Sequence, residues 1–235
     1  MTIHILATGT SRGIGAAIAA SFDRDDVRLV GHSTAGTDQA IPADLAEPGA
    51  ATALWAQALD RLDGRIDILV NNAGIFEATP LELPADRWLA GWERTMRINL
   101  TAAAELSRLA VLHFQQNDGG RIINIASRAA YRGDSTAHWH YAASKAGMVA
   151  MTKTIARGYA RDAILAFAVC PGFTMTGMAE DYLGSRGGDA LLADIPLGRV
   201  AEPAEVAAAV RFLALEAPPS MTGAVLDING ASYVR

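Results

Sequence analysis

The chain has 235 residues, 51% of them hydrophobic, a formal net charge of −5 and a single cysteine. This content suits one α/β domain, 1–235, with a large buried core, and no apolar run approaches the roughly 20 residues that crossing a bilayer requires. The acidic balance, with no basic stripe, argues against nucleic acid as a partner, and a lone Cys170 excludes an internal disulfide.

The first strand is expected from Ile3 to Ala7, which leaves no room for a cleavable leader and points to a cytoplasmic location. Directly after it come Thr8-Gly9-Thr10-Ser11-Arg12-Gly13-Ile14-Gly15 and a helix from Gly13 to Phe22. Glycines permit a tight turn and close backbone approach, and a helix N-terminus offers unpaired N–H donors, so this loop is expected to hold a dinucleotide pyrophosphate. A second strand, Val27 to Gly31, runs into His32-Ser33-Thr34 with no carboxylate at its end. An acidic side chain there would bind the ribose hydroxyl of NAD and repel the extra phosphate of NADP. Its absence favours NADP(H), with NAD(H) as the alternative; Arg12 and His32 are the candidate cations for that phosphate.

Further along, helices are expected at Ala50 to Leu62, Asp86 to Gln115, Tyr141 to Tyr159 and Pro203 to Ala214. Strands are expected at Ile66 to Val70, Arg121 to Ile125, Ile164 to Val169 and Ala224 to Asn229. Strand and helix alternate, and several strands are apolar throughout. A doubly wound parallel sheet of Rossmann type follows, helices covering both faces, with chemistry sought in the loops after strands. Tyr141 and Lys145 stand four apart on one helix face. A phenol titrates near pH 10, and lowering that by about three units takes roughly 4 kcal/mol, which a neighbouring ammonium and an oxidised nicotinamide would both help supply. Cys170 is read as a buried core thiol. Glycine-rich 177–197 has the composition of a flap over substrate, with Met178, Tyr182, Leu183, Leu191 and Leu192 as its apolar residues.

Taken in order, the Thr8–Gly15 loop, Asn71-Asn72-Ala73-Gly74, Asn99, Ser127, Tyr141 with Lys145, and Pro171-Gly172 match a known pattern. On these motifs the chain resembles the short-chain dehydrogenase/reductase family over essentially its whole length, and in texture its 3-oxoacyl-acyl-carrier-protein reductases. The resemblance implies a tetrad: Ser127 hydrogen-bonds the carbonyl oxygen, Tyr141 delivers the proton, Lys145 tunes the tyrosine and holds the nicotinamide ribose, and Asn99 seats a water behind the lysine. It also implies adenine contacts at Asp44 and Leu45, cofactor contacts at Asn72, Ala73 and Gly74, and a carboxamide clamp at Pro171, Gly172, Thr174 and Thr176. A homotetramer or homodimer built on the two long helices follows from the same source. No metal site is assigned. Departures are few, Ala126 where a second serine is frequent and Phe167 where an asparagine is frequent. Between Ser127 and Tyr141, Tyr131, Arg132, His138, Trp139 and His140 are candidates to line the pocket, with Arg132 or His140 as anion ligand. The expected function is NADP(H)-dependent interconversion of a carbonyl and a secondary alcohol on a small molecule. The alternatives are an NAD-linked alcohol or polyol dehydrogenase, and a non-catalytic dinucleotide sensor.

Overall fold

Runs of β-branched and aliphatic residues without polar alternation form strands that are covered on both faces. The computed structural model describes residues 2–37, 39–176 and 192–235. Among these, seven strands make one all-parallel sheet: β1 (Ile3–Thr8), β2 (Val27–Ser33), β3 (Ala40–Pro42), β4 (Ile68–Asn71), β5 (Gly120–Ile125), β6 (Ile164–Pro171) and β7 (Val225–Ile228). Their spatial order is β3-β2-β1-β4-β5-β6-β7. The chain leaves β1 toward one edge and returns beside it as β4, so the reversal of direction falls between β1 and β4, where the carboxyl ends open a crevice.

Alternate residues of each strand go to opposite faces. Leu6, Leu69 and Ile122 join α2 (Ala50–Arg61), α4 (Ala102–Phe114) and α6 (Trp139–Tyr159) in one apolar layer with Leu54, Trp55, Leu106, Phe114 and Ile155. Ile5, Val70, Ile123 and Phe167 join α1 (Gly13–Ser21) and α7 (Pro203–Leu215) in the other, with Ile18, Val206 and Val210. Helix α3 (Ala85–Met96) precedes α4, and a short α5 (Ala129–Arg132) follows β5. No helix among the described residues is long and apolar enough to cross a membrane.

Four features depart from the expected elements. β3 is an edge strand of three residues closing on Pro42, too short to show in hydrophobic pattern. The helix expected from Asp86 to Gln115 is broken by a π-helical stretch, Arg97–Thr101, between α3 and α4. Such widened turns cluster at functional sites, and composition does not announce them. Helix α5 is also additional, and α6 begins at Trp139, ahead of Tyr141.

Beneath the crevice lies a buried polar network. Asn71 Nδ2 donates to Asn124 Oδ1 (2.8 Å) and to Ser107 Oγ (3.1 Å), while Asn124 Nδ2 donates to Thr152 Oγ1 (2.8 Å). It joins β4, β5, α4 and α6, and Asn124 and Thr152 are wholly buried. Replacing Asn124 by leucine takes one buried partner from the Asn71 amide and one from the Thr152 hydroxyl; a destabilisation of about 2–4 kcal/mol is expected by urea unfolding. A loss under roughly 1 kcal/mol would show that the network does not hold these elements together.

Candidate active site

After Thr8 the chain must turn sharply into α1. Gly9 takes φ +70°, and a Cβ there would lie 2.9 Å from Ala73 Cα; a Cβ on Gly15 would lie 1.9 Å from the Gly9 carbonyl oxygen. No larger residue fits either place. Thr10 is tied to β2, its N–H and hydroxyl both reaching the His32 carbonyl, at 2.9 and 3.3 Å. Ser11 and Arg12 are exposed on the rim. The N–H of Ala16 donates to the Arg12 carbonyl (3.2 Å) and no side chain caps α1, which leaves the N–H groups of Gly13, Ile14 and Gly15 without helical acceptors. The donors and the helix dipole together suit a pyrophosphate.

The loop is held from below. Thr8 Oγ1 accepts the N–H groups of Asn72 and Ala73, each at 3.0 Å, and Asn72 Nδ2 donates to the carbonyls of Thr8 (2.9 Å) and Gly9 (3.0 Å). His32 joins the same scaffold. It is 3% exposed; Nδ1 accepts the Gly9 N–H (3.2 Å), so Nε2 carries the proton and donates to the Ala43 carbonyl (2.9 Å). Burial pushes its pKa down. The expectation that His32 brings positive charge to a phosphate is therefore corrected: the ring is neutral and its two nitrogens brace Gly9 against the turn after β3. Ser33 Oγ accepts the Gly36 N–H (3.0 Å), and Thr34 lies exposed at the end of β2. Asp44 is exposed and caps its own turn through the Ala46 N–H (2.9 Å), while Leu45 is buried in the core.

On the other side of the crevice the π-helical stretch places Asn99 in the interior, fully buried. Its Oδ1 accepts the Ile75 N–H (2.8 Å) and its Nδ2 donates to the Ile75 carbonyl (2.9 Å). Both ends of this amide are thus spent on the backbone after Gly74. A Cβ on Gly74 would lie 3.3 Å from Asn99 Oδ1 and 3.5 Å from Lys145 Nζ, a measure of how closely these three converge. Lys145, 4% exposed, donates to the Ile125 carbonyl at the end of β5 (2.8 Å), with Nζ 5.8 Å from the centre of the Tyr141 ring. Burial pushes the ammonium down to about 8 and the Tyr141 phenol up to about 12, the latter opposed by hydrogen bonding with Ser127. Ser127 Oγ accepts the Ala129 N–H (3.1 Å). The fold therefore gathers Asn99, Ser127, Tyr141 and Lys145 at one end of β4 and β5. Desolvation is the largest influence on the phenol of the protein alone and holds it above its ordinary value. Cys170 is wholly buried in the adjoining cluster, its thiol pushed up to about 11 by burial.

After β6, Gly172 N–H donates to the Ile228 carbonyl (2.9 Å) and Met175 N–H to Ala201 (2.8 Å), which fixes the course from Pro171 through Thr174. A Cβ on Gly13 would lie 3.0 Å from Thr176 Cγ2, so this loop and the glycine loop meet across the crevice. Phe76, just beyond Gly74, stacks on His138 with ring centres 3.9 Å apart and turns its face or edge to Tyr141 at 4.8 Å and 81°. His140 points away: it is buried, paired with Thr79 Oγ1 (2.9 Å), and is not placed to meet an anion in the crevice. Arg132 pairs with Asp194 (2.7 Å). Of the 177–197 segment, Met178, Tyr182, Leu183 and Leu191 lie outside the described residues; Leu192 packs with Ile195 and Val200. Two residues of this neighbourhood escaped the reading of the sequence, Phe76 and Arg128. Arg128 follows a recognised motif residue directly and Phe76 lies two residues beyond Gly74, the one signal that could have found them.

A family model described as enoyl-(acyl carrier protein) reductase matches residues 9–231. A 3-oxoacyl-[acyl-carrier-protein] reductase of Vibrio harveyi is 35% identical over 97% of this chain and 96% of its own. An acetoacetyl-CoA reductase of Shinella zoogloeoides is 32% identical over 97% of each, and a short-chain type dehydrogenase/reductase of Sinorhizobium fredii is 31% identical over 100% of this chain and 98% of its own. Similarity that runs through both walls of the crevice, at this length, places the chain in the short-chain dehydrogenase/reductase family, as an oxidoreductase that interconverts a carbonyl and an alcohol.

Proposed function

We propose that the protein reduces the keto group of a small 3-oxo compound, of the 3-oxoacyl class named by its relatives, with NADPH as the reductant. The observation that carries this reading is the convergence of Ser127, Tyr141 and a buried Lys145 beside a glycine loop whose free N–H groups and steric tightness fit a dinucleotide. The cofactor supplies the hydride, and everything else falls to the chain. Ser127 donates a hydrogen bond to the carbonyl oxygen and stabilises the charge that develops there. Tyr141 gives that oxygen its proton. A phenol held near 12 is protonated at neutral pH, the state that reduction requires. Lys145 sets a positive charge beneath the phenol as it loses its proton, and Asn99 holds the loop that keeps Lys145 in place.

The preference for NADPH rests on β2 ending in Ser33 and Thr34 rather than a carboxylate, with Arg12 at the mouth as the cation for the extra phosphate. Assembly as a homotetramer or homodimer fits apolar residues left exposed on α3, α4 and α6, among them Leu89, Leu112 and Trp139.

Following absorbance of NADPH and NADH with acetoacetyl-CoA and a neutral diketone tests the central reading. Oxidation of NADPH is expected, with Tyr141→Phe slowing turnover by about a thousandfold or more. Full activity in that variant would overturn the role of Tyr141. Arg12→Ala is expected to raise the KM for NADPH about tenfold and leave that for NADH nearly unchanged; equal effects on both would remove Arg12 from phosphate recognition. Lys145→Met should abolish turnover while raising stability at pH 7 by on the order of 1–3 kcal/mol, since a buried ammonium gives way to an apolar chain of similar length. The sign follows from the lysine's depressed pKa. The folded state disfavours the charged form, so the wild type gains stability as pH rises from about 8 toward the ordinary lysine value, and the variant lacks that gain. A less stable variant on thermal unfolding at pH 7 would contradict it.

A further inference from the structure

Arg128 follows Ser127 directly, and its main-chain N–H donates to the Pro171 carbonyl (2.9 Å), which ties the residue between the ends of β5 and β6. Arg128 is only 9% exposed, and its guanidinium lies over the ring of Phe173, 4.7 Å from the ring centre. Phe173 in turn follows Pro171-Gly172. The guanidinium is thus held between the serine that faces the carbonyl and the loop expected to fix the nicotinamide. Among the described residues, buried Nη1 has no hydrogen-bond partner. Its ion-pair partner, Asp194 Oδ2, lies 3.5 Å away, beyond a good hydrogen bond, and is hydrogen-bonded instead to Arg132 at 2.7 Å. Two guanidiniums share one carboxylate, and Asp134 acts on Arg128 only through its field.

A buried guanidinium with an unused donor is costly unless something pairs with it. Its planar fork matches a carboxylate, and Asp194 shows that a carboxylate can reach this pair of arginines. The chain adjacency to Ser127 sets the reach: the anion must sit close to the reacting carbonyl, not at the far end of a long carrier arm.

We propose that Arg128, assisted by Arg132, anchors a carboxylate that the substrate carries close to its keto group, so that the preferred substrates are 3-oxo acids with a free carboxylate. This rests on the carbonyl-reductase reading and narrows it. Asp194 is the internal competitor for the same guanidiniums, and Phe173 keeps the fork aimed.

The test compares acetoacetate with its neutral twin, methyl acetoacetate, as substrates of the full chain with NADPH. The wild type is expected to favour the acid in kcat/KM. Arg128→Met is expected to lower the acid-to-ester ratio about thirtyfold, mainly through KM for the acid, and Arg128→Lys to lower it less. Asp194→Asn should move the ratio the other way, by several-fold, because the competitor is neutralised. A wild type that uses ester and acid equally would overturn the proposal, as would Arg128→Met and Asp194→Asn shifting the ratio in the same direction, the mark of a merely structural ion pair. Should Arg128→Met fail to fold, Arg128→Lys and Asp194→Asn decide by their opposite signs. Calorimetric titration of acetoacetate into the protein with NADP+ separates this proposal from the reductase reading. Binding that Arg128→Lys weakens, without turnover of either compound, keeps the anchor and overturns the reductase; no binding to the wild type overturns the anchor.

Discussion

A charge inside the fold governs the arrangement of this site. Lys145 is almost completely buried, its oxygen partner among the described residues is the Ile125 carbonyl, and burial draws its pKa down to about 8. An ammonium so placed is tolerated only where backbone oxygens are fixed around it. The carboxyl end of β5 provides one, the π-helical turn brings Asn99 against the loop after Gly74, and α6 carries Tyr141 on the same face as the lysine. The neighbouring elements therefore answer to one requirement, that a cation and a phenol stay close with little water between them.

The phosphate side of the crevice is organised by hydrogen bonds instead of charge. Thr8 collects the N–H groups of Asn72 and Ala73, Asn72 returns its amide to Thr8 and Gly9, and His32 holds Gly9 from the flank. These side chains stiffen the walls of a dinucleotide groove while α1 leaves its first N–H groups available. Rigid placement of this kind is what lets a protein add electrostatics to chemistry that a cofactor brings.

The parallel sheet and most helices were legible because buried parallel strands are apolar throughout and helical stretches separate them; the strand order was not. The site was legible in motifs that sit at strand ends, where glycines and paired polar residues have few other uses. Other features left no local trace. β3 is three residues long, and the π turn has the composition of an ordinary helix. His32 could be read as a cation only while its partners, Gly9 and Ala43, were unknown. The phenol of Tyr141 is expected to be drawn toward neutrality by Lys145 together with an oxidised nicotinamide, and burial, which no spacing reveals, pushes the phenol of the protein alone upward. Arg128 went unnoticed for the same reason: its position beside a motif was visible, its desolvation was not.

The direct test of a Tyr141–Lys145 acid–base pair is to titrate the Tyr141 phenol by NMR, using ring-labelled tyrosine with Tyr141→Phe for assignment, in the free protein and with NADP+. A pKa above the ordinary tyrosine value is expected in the free protein, falling by about two units or more once a positive nicotinamide ring stands beside the phenol. A phenol whose pKa ignores the cofactor would show that Tyr141 is not placed to exchange a proton with the reacting oxygen, and the account of this site would be wrong.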